Sequence, residues 1–176
     1  MPFAEIAIGW RAPLAWLIAL ACIWFAWRRF SQLGALEPPA ASELLHSLHE
    51  ELGLEAARND VEREALIVEL NQRISDVAFQ MRLLPATYTA LLRICLASGS
   101  ALALFGFLDL ARAPLESALK AGVCALSGLV GAGGVALIGR WARSRVTDIR
   151  AAWDRASREV GKSLGTSLAT AAPLRR

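Results

Sequence analysis

The side chains able to do chemistry in this chain are sparse, and their positions matter more than their number. Ser98, Ser100 and Ser127 are the serines inside otherwise apolar stretches. A serine in such a helix ordinarily bonds back to its own backbone, with lining a polar path as the alternative. Arg93 lies near the start of one apolar stretch and is expected to snorkel to the interface. Asp109 and Lys120 stand at facing ends of neighbouring stretches, where an ion pair is expected. No carboxylate lies near the middle of any stretch, which argues against a self-contained proton relay. His46 and His49, three apart beside Glu50, have a spacing that suits a metal ion, but a third strong ligand is lacking and a solvated helix face is expected. No nucleophile elbow, phosphate loop, zinc-ligand set or dinucleotide fingerprint is present, so neither enzymatic activity nor a cofactor is expected.

The elements that must position these groups are three blocks of apolar residues. The chain of 176 residues is 55% hydrophobic with a mean hydropathy of +0.41, yet 20% of it is charged, and the charges avoid the blocks. The first block runs from Ile6 to Trp27, with Trp10 and Trp16 toward one end, Trp24 and Trp27 toward the other, and Arg28-Arg29 as its stop. Charge follows the apolar run instead of preceding it, the reverse of a cleaved leader, so an uncleaved anchor is expected. The second block covers about 88–110 and the third about 119–142. Each can cross a hydrocarbon layer of about 30 Å, which takes roughly 20 helical residues. Cys22, Cys95 and Cys124 fall one in each block, where they act as small apolar residues without disulfides.

Four segments follow: an N-terminal anchor over 1–30, a cytoplasmic linker and helical segment over 31–87, a membrane hairpin over 88–142, and a basic helix and tail over 143–176. Gly34 and Pro38-Pro39 break the chain after the anchor, and Ser42 is placed to cap a short helix carrying Leu44, Leu45, Leu48 and Leu52. Gly53 ends it, and Asn59 with Glu62 reads as the capping box of the next helix. There Leu66, Leu70, Ile74, Val77, Met81 and Leu84 form a stripe that must meet a partner helix, in this chain or another. Pro85 is expected to kink the passage into the second block. Beyond the third block, Val146, Ile149, Trp153, Ala156 and Val160 again share a face, and the chain after Gly161 is expected to fray.

Charge is distributed by region. Residues 43–82 hold nine acids against four arginines, a net −5, and residues 140–176 hold nine bases against three acids, a net +6. Arg28, Arg29, Arg140, Arg143, Arg145 and Arg150 flank one side of the blocks, while the other side holds Arg11, Arg112 and Lys120. The positive-inside rule then places the N-terminus outside and both 31–87 and the tail in the cytoplasm. A basic tail beside a membrane meets anionic lipid headgroups, so no nucleic-acid partner is expected. The fold class expected is an all-α integral membrane protein with three transmembrane helices and long cytoplasmic helical extensions.

The third block is the richest in small residues. Gly128, Ala132 and Ala136 recur at fours, as do Gly131, Val135 and Gly139. That spacing lets helix backbones approach closely in lipid, against this chain's own second span or against neighbouring subunits.

Two motifs carry a resemblance. The run Gly99-Ser100-Ala101-Leu102-Ala103-Leu104-Phe105-Gly106 keeps the outer glycines of a pattern like G-L-x-G-T-V-x-G, and Cys124-Ala125-Leu126-Ser127-Gly128-Leu129-Val130-Gly131-Ala132-Gly133-Gly134 keeps the Gly-Leu-Val centre of one like A-T-A-x-G-L-V-A-A-x-P. With the span order, these motifs resemble the TolQ/ExbB/MotA family of ion-driven membrane motors. The resemblance implies a bacterial inner-membrane subunit that forms a homo-oligomer of about five copies around single-span partners like ExbD, TolR or MotB, the partner supplying the titrating aspartate. It also marks departures. The family's channel threonines fall on Ala103 and Ala125, its inner glycine on Leu102, its proline on Gly134, and an acidic residue often at the head of the last span on Lys120. The packing glycines are kept and the proton-handling groups are lost, with Ser100 and Ser127 as displaced substitutes. A proton-channel or motor subunit is therefore the leading expectation, and a non-conducting scaffold or regulatory subunit of the same plan is the alternative.

Overall fold

Apolar residues recurring at threes and fours, with no alternating run, dictate helices, and the computed structural model is all-α. It describes residues 10–52, 60–108 and 114–164. The helices are α1 (Arg11–Gln32), a 3-10 turn (Leu33–Leu36), α2 (Ala41–Glu51), α3 (Asp60–Leu108) and α4 (Pro114–Ser163). Three of them carry stretches long and apolar enough to cross a membrane, within Arg11–Leu36, Val61–Gly106 and Leu115–Ser163. At 49 and 50 residues, α3 and α4 each extend about 75 Å, more than twice the hydrocarbon thickness. Each therefore continues well beyond its span.

Several boundaries differ from the expectations. Pro85, expected to kink the passage into the second block, lies inside the continuous helix α3. A proline there removes the bond that its N–H would give to the Met81 carbonyl; four residues on, Thr89 Oγ1 donates to the Pro85 carbonyl at 2.8 Å. Helix α2 is capped by Ala40, in extended backbone (φ −55°, ψ 147°), not by Ser42, and no side chain closes that cap. The expected break at Gly53 and capping box at Asn59 lie outside the described residues, as does the turn of the membrane hairpin. Proline at the first position of α4 suits a site where its missing N–H costs no bond.

The chain divides into two compact units. One comprises Met1–Ser31 with Leu84–Ala142, the other Gln32–Leu83 with Arg143–Arg176.

The second unit is built as water-soluble helices are, around large aliphatic side chains. Leu33, Leu44, Leu48, Leu66, Leu70, Ile149 and Val160 are fully buried, and Ile74, Met81, Trp153 and Ala156 nearly so. Most of the Leu66–Leu84 stripe is thus buried within one chain, with Ala78 buried beside Val77, which is half-buried like Leu84. Polar contacts fix the elements around this core. Arg73 pairs with Glu51 and donates to Ser47 Oγ at 3.2 Å, joining α3 to α2. The Trp153 indole donates to the Leu36 carbonyl at 2.8 Å, and Arg145 pairs with Glu37 at 2.5 Å, joining α4 to the segment after α1. We expect Leu70→Ala to destabilise this unit by about 2–5 kcal/mol. Val68→Ala, at an exposed position on the same helix, should change stability by no more than about 0.5 kcal/mol. Thermal unfolding in mild detergent, followed by circular dichroism, separates the two.

Candidate functional site

In the unit holding the membrane spans, small residues take over the role that leucine plays in the other. Helices α3 and α4 run antiparallel with their backbones in contact. A Cβ built on Gly99 would lie 2.7 Å from the Gly128 Cα and 3.1 Å from the Cys124 carbonyl oxygen, and one on Gly128 would lie 2.9 Å from the Cys95 carbonyl oxygen. Real Cβ atoms do not approach that closely, so neither position accepts a methyl group without separating the helices. The seam continues toward one end, where a Cβ on Gly106 would sit 3.0 Å from the Ala121 Cβ, and toward the other to Gly139, packed beside Tyr88 at an ordinary 3.5 Å.

Helix α1 lies along this pair. Its buried residues are Ala15, Ala19, Cys22 and Ala26, a stripe at spacings of four, three and four. A Cβ on Gly131 would lie 2.9 Å from the Ala19 Cβ and 3.1 Å from the Cys95 Sγ, and one on Gly134 would lie 2.9 Å from the Ile23 Cδ1. Cys95 also meets the Cys22 thiol, and all three cysteines are free and buried. At one end Arg11 donates to the Phe105 carbonyl at 3.1 Å; at the other, the Tyr88 hydroxyl reaches the Ala26 carbonyl at 3.5 Å. The α1 stripe is absent from the expectations drawn from sequence, although its small residues at helical spacing carry the same signal that marks the third span.

Each residue singled out from sequence now has a place. Gly99, Gly106 and Gly128 are buried in the seam, Gly131 is buried against Ala19 and Cys95, and Ala132 is buried. Ala103 is buried in a cluster with Ala15, Ala121 and Cys124, and Ala125 packs against that cluster. The two positions that the resemblance assigns to the channel therefore lie within the three-helix packing of a single chain. Ser127 is fully buried and bonds to the Cys124 carbonyl at 2.7 Å; Ser98 bonds to the Cys95 carbonyl at 3.1 Å. Ser100 alone of the three serines is exposed. Lys120 pairs with Glu116 one turn earlier, at 2.5 Å, and Asp109 lies outside the described residues. Ala136, expected to stack with Gly128 and Ala132, is exposed. Among the described residues no group of three His, Cys, Asp or Glu could hold a metal ion, and a His49 ring nitrogen is engaged by the Leu45 carbonyl at 2.8 Å.

Fold and junction together define an all-α membrane protein whose spans are joined by glycine contacts. No family model, no curated protein and no solved structure matches the chain.

The seam makes a direct prediction. Gly99→Ala and Gly128→Ala should each destabilise the bundle by roughly 1–3 kcal/mol through overpacking against backbone. Gly133→Ala meets no neighbouring helix of its own chain, and in the dissociated single chain should be neutral or stabilising by up to about 1 kcal/mol from helix propensity. Melting temperatures of the three variants in one detergent that keeps the chain monomeric test this ordering.

Proposed function

We propose that the protein is a membrane subunit on the TolQ/ExbB/MotA plan, which assembles with copies of itself and with a single-span partner into an inner-membrane complex. The observation that carries the assembly is what the seam leaves over. Gly122 and Gly133 lie eleven residues apart, close to three helical turns, and so share one face of α4. Beyond the backbone of its own helix, neither has a neighbour among the described residues within 4 Å of where a Cβ would stand. Glycine costs a helix about 1 kcal/mol relative to alanine and gives nothing against lipid, whereas against a second backbone it permits close approach. Exposed Ala136 lies close to the same face, and Ser100 is exposed on α3. The excess of arginine at one end of the spans supports an orientation with the N-terminus outside and the C-terminus in the cytoplasm.

A second reading, a non-conducting scaffold of the same plan, is favoured by the burial of Ala103 and the back-bonding of Ser127 within one chain. In that reading the bundle interior is sealed, and any conducting path would have to run between copies or along a partner.

Native mass measurement in mild detergent tests the assembly: a multimer is expected, and a strict monomer overturns the proposal. Gly122→Leu with Gly133→Leu should break the multimer to smaller species while leaving helicity intact. Proton flux into liposomes then divides the readings, since robust flux with a candidate partner removes the scaffold.

A further inference from the structure

The span-bearing unit is strongly asymmetric in charge. Its described residues include one carboxylate, Glu116, which is paired with Lys120 near the end that also carries Arg11. The opposite end holds Arg28, Arg29, Arg93 and Arg140, all exposed. Their relative heights follow from the packing. The Tyr88–Ala26 hydrogen bond and the Gly139–Tyr88 contact put Ala26, Tyr88 and Gly139 at one level. Arg140 follows Gly139 directly, and Arg28 and Arg29 follow Ala26 by two and three residues. Arg93 lies five residues past Tyr88, about 7.5 Å toward the middle of the span at 1.5 Å per residue. Tyr88 is buried, and a step of five residues carries Arg93 to the outward side of α3.

Aromatic rings lie beside two of these guanidinium groups. The Arg28 guanidinium lies 5.5 Å from the ring centre of Trp24, and that of Arg29 lies 5.5 Å from Phe25. Trp27 and Trp141 are half-exposed, and Trp27 stands 5.5 Å from Phe30. Rings of this kind settle at the headgroup level of a bilayer. The Arg93 and Arg140 guanidinium groups at that depth need an anion, and the described part of this unit offers no carboxylate at this end. Phosphate oxygens match the guanidinium fork in a bidentate pair.

We propose that Arg28, Arg29, Arg93 and Arg140, with Trp24, Trp27 and Trp141, form an interfacial collar that binds the headgroups of anionic phospholipids. Arg93 is the anchor of the collar: its stem lies along the apolar surface and its guanidinium reaches up to the phosphate from below. The collar belongs to a single chain, so the proposal holds whether or not the protein assembles.

The test uses the full chain in neutral detergent micelles doped with equal amounts of phosphatidylglycerol or phosphatidylcholine, with retained lipid counted by native mass spectrometry. Phosphatidylglycerol should be retained in preference, and the preference should fall as salt is raised from low to high ionic strength. R93Q with R140Q should weaken phosphatidylglycerol binding about fivefold for each arginine removed, with helicity unchanged, and K120Q at the other end should leave it unaltered. R93K with R140K keeps charge without the fork and should bind between the two. Equal retention of both lipids, a preference indifferent to salt, or a folded R93Q/R140Q chain that binds phosphatidylglycerol as the unaltered protein does would each overturn the proposal.

Discussion

Three helices in lipid have no hydrophobic effect to hold them together, because the surrounding tails are as apolar as their side chains. What remains is contact between backbones, and in this protein it is concentrated where Gly99 meets Gly128. That one approach sets the register of α3 against α4 and brings the Cys95 and Cys124 carbonyls to the opposite helix. It also creates the surface on which α1 lies with Ala19 against Gly131 and Ile23 against Gly134. Larger side chains at the glycine positions would hold the helices apart, and dispersion attraction between their backbones falls away steeply with such a gap.

The other unit solves the same problem with different chemistry. In water, burying leucine is itself favourable, at about 25 cal/mol for each Å² of apolar surface, so its core is filled by Leu44, Leu48, Leu66 and Leu70 and its periphery by ion pairs such as Arg73–Glu51. Helices α3 and α4 carry both codes in succession without a break in their hydrogen bonding pattern other than at Pro85. The change of code along α3 falls at Leu83–Leu84, one residue before that proline.

Much of this is legible without coordinates. Apolar blocks of sufficient length identify spans, and the 66–81 stripe identifies a buried helix face, because both depend on residue type at fixed spacing. The identity of the contacting helix is not legible for the same reason: one stripe fits a partner in the same chain or in another, and the contacts of α2 decide for the first. Ser42 is a good capping residue on local grounds, yet the extended Pro38-Pro39 run starts α2 earlier, at Ala41, and leaves the cap to Ala40. The Lys120–Glu116 pair is open to a reading from spacing alone, since Glu116 lies one turn away on the same helix and needs no tertiary geometry to reach it. The stripe Ala15, Ala19, Cys22, Ala26 blends into apolar background in the sequence, since alanine marks a close contact only when the neighbouring helix also offers small residues. Ala103 and Ala125 show the limit of alignment by motif. The resemblance assigns both to a channel wall; Ala103 is buried with Ala15 and Cys124, and half-buried Ala125 packs against them, contacts that no motif announces.

The three free cysteines give the bundle a chemical clock. One thiol sits on each of α1, α3 and α4, all sealed from water. A buried thiol reacts only while the helices around it part, so the rate at which a polar alkylating reagent consumes Cys22, Cys95 or Cys124 measures how often the packing at that thiol opens. The protein thereby carries an internal record of its own breathing, resolved helix by helix and without any label added to it.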